Sequence, residues 1–97
     1  MEFAIFLDRH GVPTRDAVRD HVLALRALER EGRLIAAGPL GDGSGGLILA
    51  AFEDAAAASA YAEADAFVRG GTHSARVVSW ERSHAGNFHL GVLAGED

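Results

Sequence analysis

The stretch that decides the fold is RLIAAGPLGDGSGGLILAAF, residues 33–52. Two apolar runs stand in it, Arg33–Ala37 and Leu47–Phe52, and a glycine-rich loop, Gly41–Gly46, connects them. Apolar runs bounded by glycine and proline are typical of strands, and Gly38-Pro39 is expected to end the first one. The stretch therefore predicts two strands that follow each other without an intervening helix.

A helix is predicted on each side of these two strands. The first follows Thr14, a good N-cap, and ends at Gly32. The second is rich in alanine, begins after Asp54 and runs to about Ala64. The first helix carries one apolar stripe at three-and-four spacing, and His21 is its only polar member. The apolar residues of this stripe are Val18, Val22, Leu25 and Leu28.

The outer strands complete the topology. Glu2–Leu7 is apolar on both faces, as is typical of a central strand, and Thr72–Trp80 supplies the fourth strand. The order strand–helix–strand–strand–helix–strand is that of the ferredoxin-like α+β fold, βαββαβ, with both helices on one face of an antiparallel sheet. The helix-free face would expose a large apolar patch, so we expect a homodimer that packs through it.

Length and composition restrict the function. The 97 residues make one domain over residues 1–82 and a C-terminal extension over 83–97, in which Phe88–Leu93 could add a strand before a loose acidic end. The absence of cysteine excludes disulfides and thiolate metal sites, and a net charge of −5 without a basic stripe argues against nucleic acid. No leader is seen and no apolar run approaches the roughly 18 residues of a membrane span, which predicts a cytoplasmic protein with no membrane partner.

Acid/base residues converge at one edge of the predicted fold. The first helix starts at this edge and the second helix ends there, so His21 and Asp65 are expected to form a hydrogen-bonded catalytic pair. The same edge collects the residues predicted to contact a small ligand: Gly38, Pro39, Gly45, His73 and His10. No local pair such as His-x-x-x-His supports a metal, and the glycine loop lacks the lysine and the helix of a phosphate-binding loop, so neither a metal nor a cofactor is predicted.

The same residues resemble a known family. The string from His21 to Pro39, Gly45-Gly46 before an apolar strand, and Ala64-Asp65-Ala66-Phe67 followed by Gly70-Gly71 are similar to the YCII-related (YciI-like) proteins. The resemblance implies a dimeric α+β barrel of ferredoxin-like subunits, with a His–Asp active centre that maps to His21 and Asp65. It also implies chemistry such as the elimination of chloride from a chlorinated aromatic hydroxyquinone, described for one branch. The family usually has proline where this chain has Ala66.

Three functions remain open from the sequence. The first is a small enzyme in which His21, oriented by Asp65, performs general acid/base chemistry (elimination, isomerisation or hydrolysis) on a small cyclic or carbonyl-bearing substrate. The second is a dimer that binds a small ligand in the same cleft without turnover. The third is an accessory protein in which His21 is a core histidine and Asp65 a turn residue that hydrogen-bonds its own backbone.

Overall fold

The computed structural model describes residues 1–84 and 86 of the chain. Four strands form one sheet in the order β2-β3-β1-β4, and each neighbouring pair is antiparallel. This is the ferredoxin-like α+β fold predicted from the sequence. The predicted tail strand at Phe88–Leu93 lies outside the described residues. The elements are β1 (Glu2–Arg9), α1 (Arg15–Arg30), β2 (Leu34–Pro39), β3 (Gly45–Ala51), α2 (Ala55–Ala64), α3 (Ala66–Arg69) and β4 (His73–Trp80).

The core lies between the sheet and the helices. Alternate residues of the central strand β1, Phe3, Ile5 and Leu7, are at most 2% exposed and face the helices. Register places Ile48 beside Ile5 on this face, and the α1 stripe reaches the core at Leu28. The alanines of α2 present little side-chain bulk, which lets this helix lie close to the sheet.

Both predicted helix N-caps are confirmed. The Thr14 hydroxyl accepts a hydrogen bond from the Ala17 N–H at 3.1 Å, and the Asp54 carboxylate accepts one from the Ala57 N–H at 2.8 Å. Each cap satisfies a backbone donor that the first helical turn would otherwise leave unpaired. Among the described residues, no helix is both long enough and apolar enough to cross a bilayer.

Several predicted boundaries were wrong, among them the end of β1, which lies at Arg9 rather than Leu7. Strand β2 does not stop before Gly38-Pro39 but continues through both residues, because β2 is an edge strand in which proline is tolerated. Strand β3 begins at Gly45 rather than Leu47, paired with Asp8 of β1. The predicted turn after Asp65 is the one-turn helix α3, which is too short for its periodicity to be visible in the sequence.

The helix-free face of the sheet is partly apolar and open. Val78 and Trp80 of β4 lie on it and are 47% and 36% exposed. Beside them, the Arg76 guanidinium carbon lies 4.5 Å from the centre of the Phe6 ring, and Arg76 Nε donates to the Asp8 carboxylate at 2.8 Å. The face thus has an apolar surface with a charged pair at one side, and Trp80 belongs to this surface rather than to the core.

Candidate functional site

A cleft of about 510 Å³ opens between α1, α3 and the adjoining ends of β2 and β3. The cleft forms because the apolar stripe of α1 is buried in the core near the C-terminal end of the helix and becomes exposed toward its N-terminus. Leu28 is 3% exposed, whereas Val18 and Val22 are 41% and 45% exposed and line the cleft. The walls are therefore largely apolar, and the polar side chains that reach them are few, as is usual for small-ligand sites.

His21 and Asp65 form a hydrogen bond at this cleft. The Nδ1 atom of His21 lies 2.7 Å from Oδ2 of Asp65, and their side chains are 15% and 2% exposed. His21 lines the cleft, and the Asp65 carboxylate lies behind it. Because a carboxylate oxygen can only accept, Nδ1 of His21 donates the hydrogen bond. In the neutral ring, Nε2 is then the acceptor.

The Asp65 carboxylate has a second, local role. Its Oδ1 accepts a hydrogen bond from the Phe67 N–H at 2.8 Å, which makes Asp65 the N-cap of α3. Ala66 takes the first helical position, where proline is often found, and the cap holds the turn in place without proline. From the sequence, the turn role and the pairing with His21 are alternatives; in the structure Oδ1 of Asp65 performs the first and Oδ2 the second.

Phe67 stacks between two histidine rings. Its centroid lies 4.2 Å from that of His21 and 4.5 Å from that of His73, with 18° between the ring planes in both cases. Parallel rings at these separations restrain one another against rotation about χ2. The short helix α3 therefore fixes His21 in two ways, through the Asp65 cap and through the Phe67 ring.

Most of the predicted ligand-contacting residues line the cleft. They are Gly38, Pro39, Gly45 and His73. His10 does not line it: its Nε2 lies 3.1 Å from the Ser74 hydroxyl on the exposed surface. Alternation along β1 explains this placement, because Arg9 lies on the helix side of the sheet and the next residue turns to the opposite side.

Sequence reasoning missed two residues of the site. Arg9 lines the cleft and is the cross-strand neighbour of His73, with its Nε donating to the Gly11 carbonyl at 2.9 Å. Phe67 also lines the cleft. Strand alternation could have placed Arg9 if β1 had been extended beyond Leu7, whereas the stack at Phe67 had no signal in the sequence.

Nothing in the described part of the chain competes with this site. Residues 1–84 and 86 contain no group of three or more histidine, aspartate and glutamate side chains that could hold a metal ion. A wider hollow at the other end of the sheet lies beside Glu2, Trp80 and Arg82, and no residue that lines it is buried. Among the described residues, only the cleft at His21 combines a buried carboxylate with an imidazole.

The buried His73 is expected to make protein stability depend on pH. Burial lowers its pKa below the usual 6.5, Arg9 lowers it further, Asp65 opposes the shift, and His10 and His21 lower it slightly. The unfolded chain therefore binds more protons as the pH falls below about 6.5, and the free energy of unfolding is expected to decrease from there and level off below the folded pKa. Urea denaturation between about pH 7.5 and 5.5 checks this, with His73→Phe as the control that loses this component. Identical pH slopes for both proteins would contradict it.

The fold and the cleft define the class of protein: a ferredoxin-like α+β domain with a histidine–carboxylate pair at a cleft of small-ligand size. The model of the YCII-related domain matches residues 1–81, and the chain belongs to this family. The comparison with curated proteins finds no match.

Among solved structures, the chain is similar to 5-chloro-2-hydroxyhydroquinone dehydrochlorinase from Burkholderia phenoliruptrix, in complex with 2,5-dihydroxybenzoquinone. The TM-score is 0.66 at 18% sequence identity, and the match covers 86% of this chain and 96% of the other. At this identity the similarity concerns the fold.

Proposed function

We propose that the protein is a small enzyme that uses His21 for general acid/base chemistry on a small cyclic or carbonyl-bearing substrate. The observation that carries the proposal is the 2.7 Å hydrogen bond between His21 and the buried Asp65 at an apolar cleft. An imidazole that is oriented by a carboxylate is a common arrangement of a general base. Elimination, isomerisation and hydrolysis all begin with the proton transfer that this pair supports.

The hydrogen-bond network supports a defined direction of proton transfer. With Nδ1 donating to Asp65, Nε2 of neutral His21 can accept a proton from the substrate. The imidazolium that forms would keep its Nδ1 hydrogen bond to the Asp65 carboxylate. In an isomerisation the same nitrogen would return the proton to another atom, and in an elimination the electron pair of the broken bond would expel the leaving group.

The charge of the cleft supports substrates that become anionic. Among the described residues that line the cleft, Arg9 is the one arginine, and none is aspartate or glutamate. A guanidinium near the reacting group favours negative charge on a substrate oxygen after proton removal. The solved structure of the similar protein is a complex with 2,5-dihydroxybenzoquinone, a small ring with two hydroxyl groups. A ligand of this size would fit into the present cleft.

Turnover assays test the proposal. The panel holds small ring lactones, halogenated hydroquinones and muconate-like acids, each followed by absorbance and by product analysis. We expect at least one class to be converted by the wild-type protein and not by His21→Ala. Binding of a panel member without conversion would favour the ligand-binding dimer, and neither binding nor conversion would favour the accessory role of the pair.

We also propose that the protein is a homodimer that packs through the helix-free face of the sheet. The proposal rests on the apolar surface around Val78 and Trp80, which are exposed in the single chain. Val12 provides a matched control, because it is also valine and 78% exposed but lies in the loop before α1, away from this face.

Introducing one charge on this face is expected to split the dimer. Val78→Asp would place an unpaired carboxylate within the interface, where its desolvation opposes association. Size-exclusion chromatography with light scattering at micromolar concentration is expected to show a dimer for the wild-type protein and for Val12→Asp, and a monomer for Val78→Asp. A monomeric wild-type protein would refute the proposal.

A further inference from the structure

His73 is a second imidazole of the cleft, and the pairing of His21 with Asp65 does not involve it. It begins β4, is 7% exposed and lines the cleft. The His73 ring stacks on the face of the Phe67 ring opposite to His21, and the centroids of the Phe67 and His73 rings are 4.5 Å apart. The described part of the chain supplies a hydrogen bond to its Nδ1 and none to its Nε2.

Two contacts of the Thr72 hydroxyl bear on which nitrogen of His73 carries the proton. The Thr72 hydroxyl donates to the Phe67 carbonyl oxygen at 3.3 Å, and a carbonyl can only accept. With its proton used there, the hydroxyl oxygen accepts from Nδ1 of His73 at 2.9 Å. The arrangement that makes both contacts hydrogen bonds places the proton of neutral His73 on Nδ1 and leaves its Nε2 as an acceptor.

The backbone of one residue, Phe67, thus helps to orient both histidines. The Phe67 N–H binds the Asp65 carboxylate that orients His21, and the Phe67 carbonyl binds the Thr72 hydroxyl that orients His73. Burial holds the pKa of His73 below its usual value, so this ring is neutral at pH 7 and its Nε2 is able to accept.

We propose that His73 is a ligand-contacting residue, that Thr72 is its positioning residue, and that the cleft selects small rings bearing two hydrogen-bond donors. One donor is bound by His21 and the other by His73. The Phe67 ring stacks on both imidazoles, with centroid separations of 4.2 and 4.5 Å, so the two nitrogens belong to separate rings and each is assigned its own donor. The inference rests on the proposed function, because it names the substrate class of the same cleft.

Ligand titration tests the proposal with hydroquinone, which has two hydroxyls, and phenol, which has one. Long-range proton–nitrogen NMR follows the side-chain nitrogens of both histidines during the titration. We expect hydroquinone to perturb Nε2 of His21 and of His73 and to bind about five- to ten-fold more tightly than phenol, the effect of one added hydrogen bond. His73→Phe keeps the aromatic stack and is expected to remove this preference.

The role of Thr72 is tested without any ligand. The same NMR spectra report the tautomer of His73, and we expect its proton on Nδ1 in the wild-type protein and in Thr72→Ser, which keeps the hydroxyl. Thr72→Val has nearly the same shape but lacks the acceptor, so a mixture of tautomers is expected, together with a weaker preference for hydroquinone. A merely structural role would leave the tautomer unchanged in Thr72→Val.

Several results would overturn the inference. They are equal affinities of the wild-type protein for hydroquinone and phenol, no binding of hydroquinone at millimolar concentration, and an undiminished preference in His73→Phe. These readouts are binding and tautomer state rather than turnover. They can therefore fail while His21→Ala still abolishes turnover, and they can succeed if the cleft binds its ligand without converting it.

Discussion

Turnover is expected to fall to background when His21 is replaced by alanine, while the oligomeric state stays that of the wild-type protein. General acid/base groups contribute on the order of 10²–10⁴-fold to the rate, and within residues 1–84 and 86 no other imidazole of the cleft is paired with a carboxylate. Turnover of the best panel substrate, measured with enzyme in excess, gives the loss directly. Light scattering on the same samples shows whether the assembly has survived.

Two companion variants separate the loss of the base from the loss of its partner. His21→Asn places an amide N–H where Nδ1 lies, so that the Asp65 carboxylate keeps a donor although the base is gone. Asp65→Asn keeps an oxygen for the Phe67 N–H, but its amide can donate to Nδ1 and so favours the wrong tautomer of His21. We expect background turnover for His21→Asn and a smaller loss for Asp65→Asn, because in that variant the base itself survives.

A purely structural role of the His21–Asp65 pair would give a different set of results. If the pair only ties α1 to α3, all three variants retain turnover of any converted substrate, and His21→Ala, which alone leaves the Asp65 carboxylate without its side-chain donor, loses stability instead. Loss of a partially buried hydrogen bond to a charged group would then lower the free energy of unfolding by about 1–3 kcal/mol. Urea denaturation of the same proteins measures this. Wild-type turnover combined with lowered stability would refute the catalytic role of His21.

The topology could be predicted from the sequence because each element had a local signal. The two strands of residues 33–52 are bounded by glycine and proline, and the helices start at the caps Thr14 and Asp54. The meeting of His21 with Asp65 followed from this order alone, since the start of one helix and the end of the other lie at the same edge of the sheet. Topology therefore accounts for their proximity, and the Asp65 cap of α3 and the Phe67 stack position the two side chains for the 2.7 Å hydrogen bond.

The parts of the site that could not be predicted depend on three-dimensional packing. Helix α3 has four residues, so no periodicity marks it, and the stacking of Phe67 between two rings depends on where that helix lies. The end of β2 at Pro39 was missed because proline stops a central strand but not an edge strand, and the sequence does not show which strand is at the edge.

A graded series of glycine replacements is expected to show that Gly45 is the most constrained backbone position of the cleft. Gly38, Gly43 and Gly45 all line the cleft. A methyl group at Gly38 meets open space at an ordinary φ, so Gly38→Ala is expected to change stability by no more than about 0.5 kcal/mol. Gly43 also has open space but a φ of +77°, so Gly43→Ala is expected to cost about 1–2 kcal/mol.

Gly45→Ala is expected to cost about 3 kcal/mol or more, because two penalties coincide there. Its φ is +149°, and a Cβ atom would lie 1.8 Å from the carbonyl oxygen of Leu7, in the backbone of the central strand. That oxygen cannot move aside without breaking the β1–β3 pairing, so β3 must shift where it forms the cleft. Urea denaturation of the three variants gives the order of the costs. If Gly45→Ala proved no more destabilising than Gly43→Ala, backbone conformation alone would explain the glycine, and the close approach to Leu7 would have no energetic consequence.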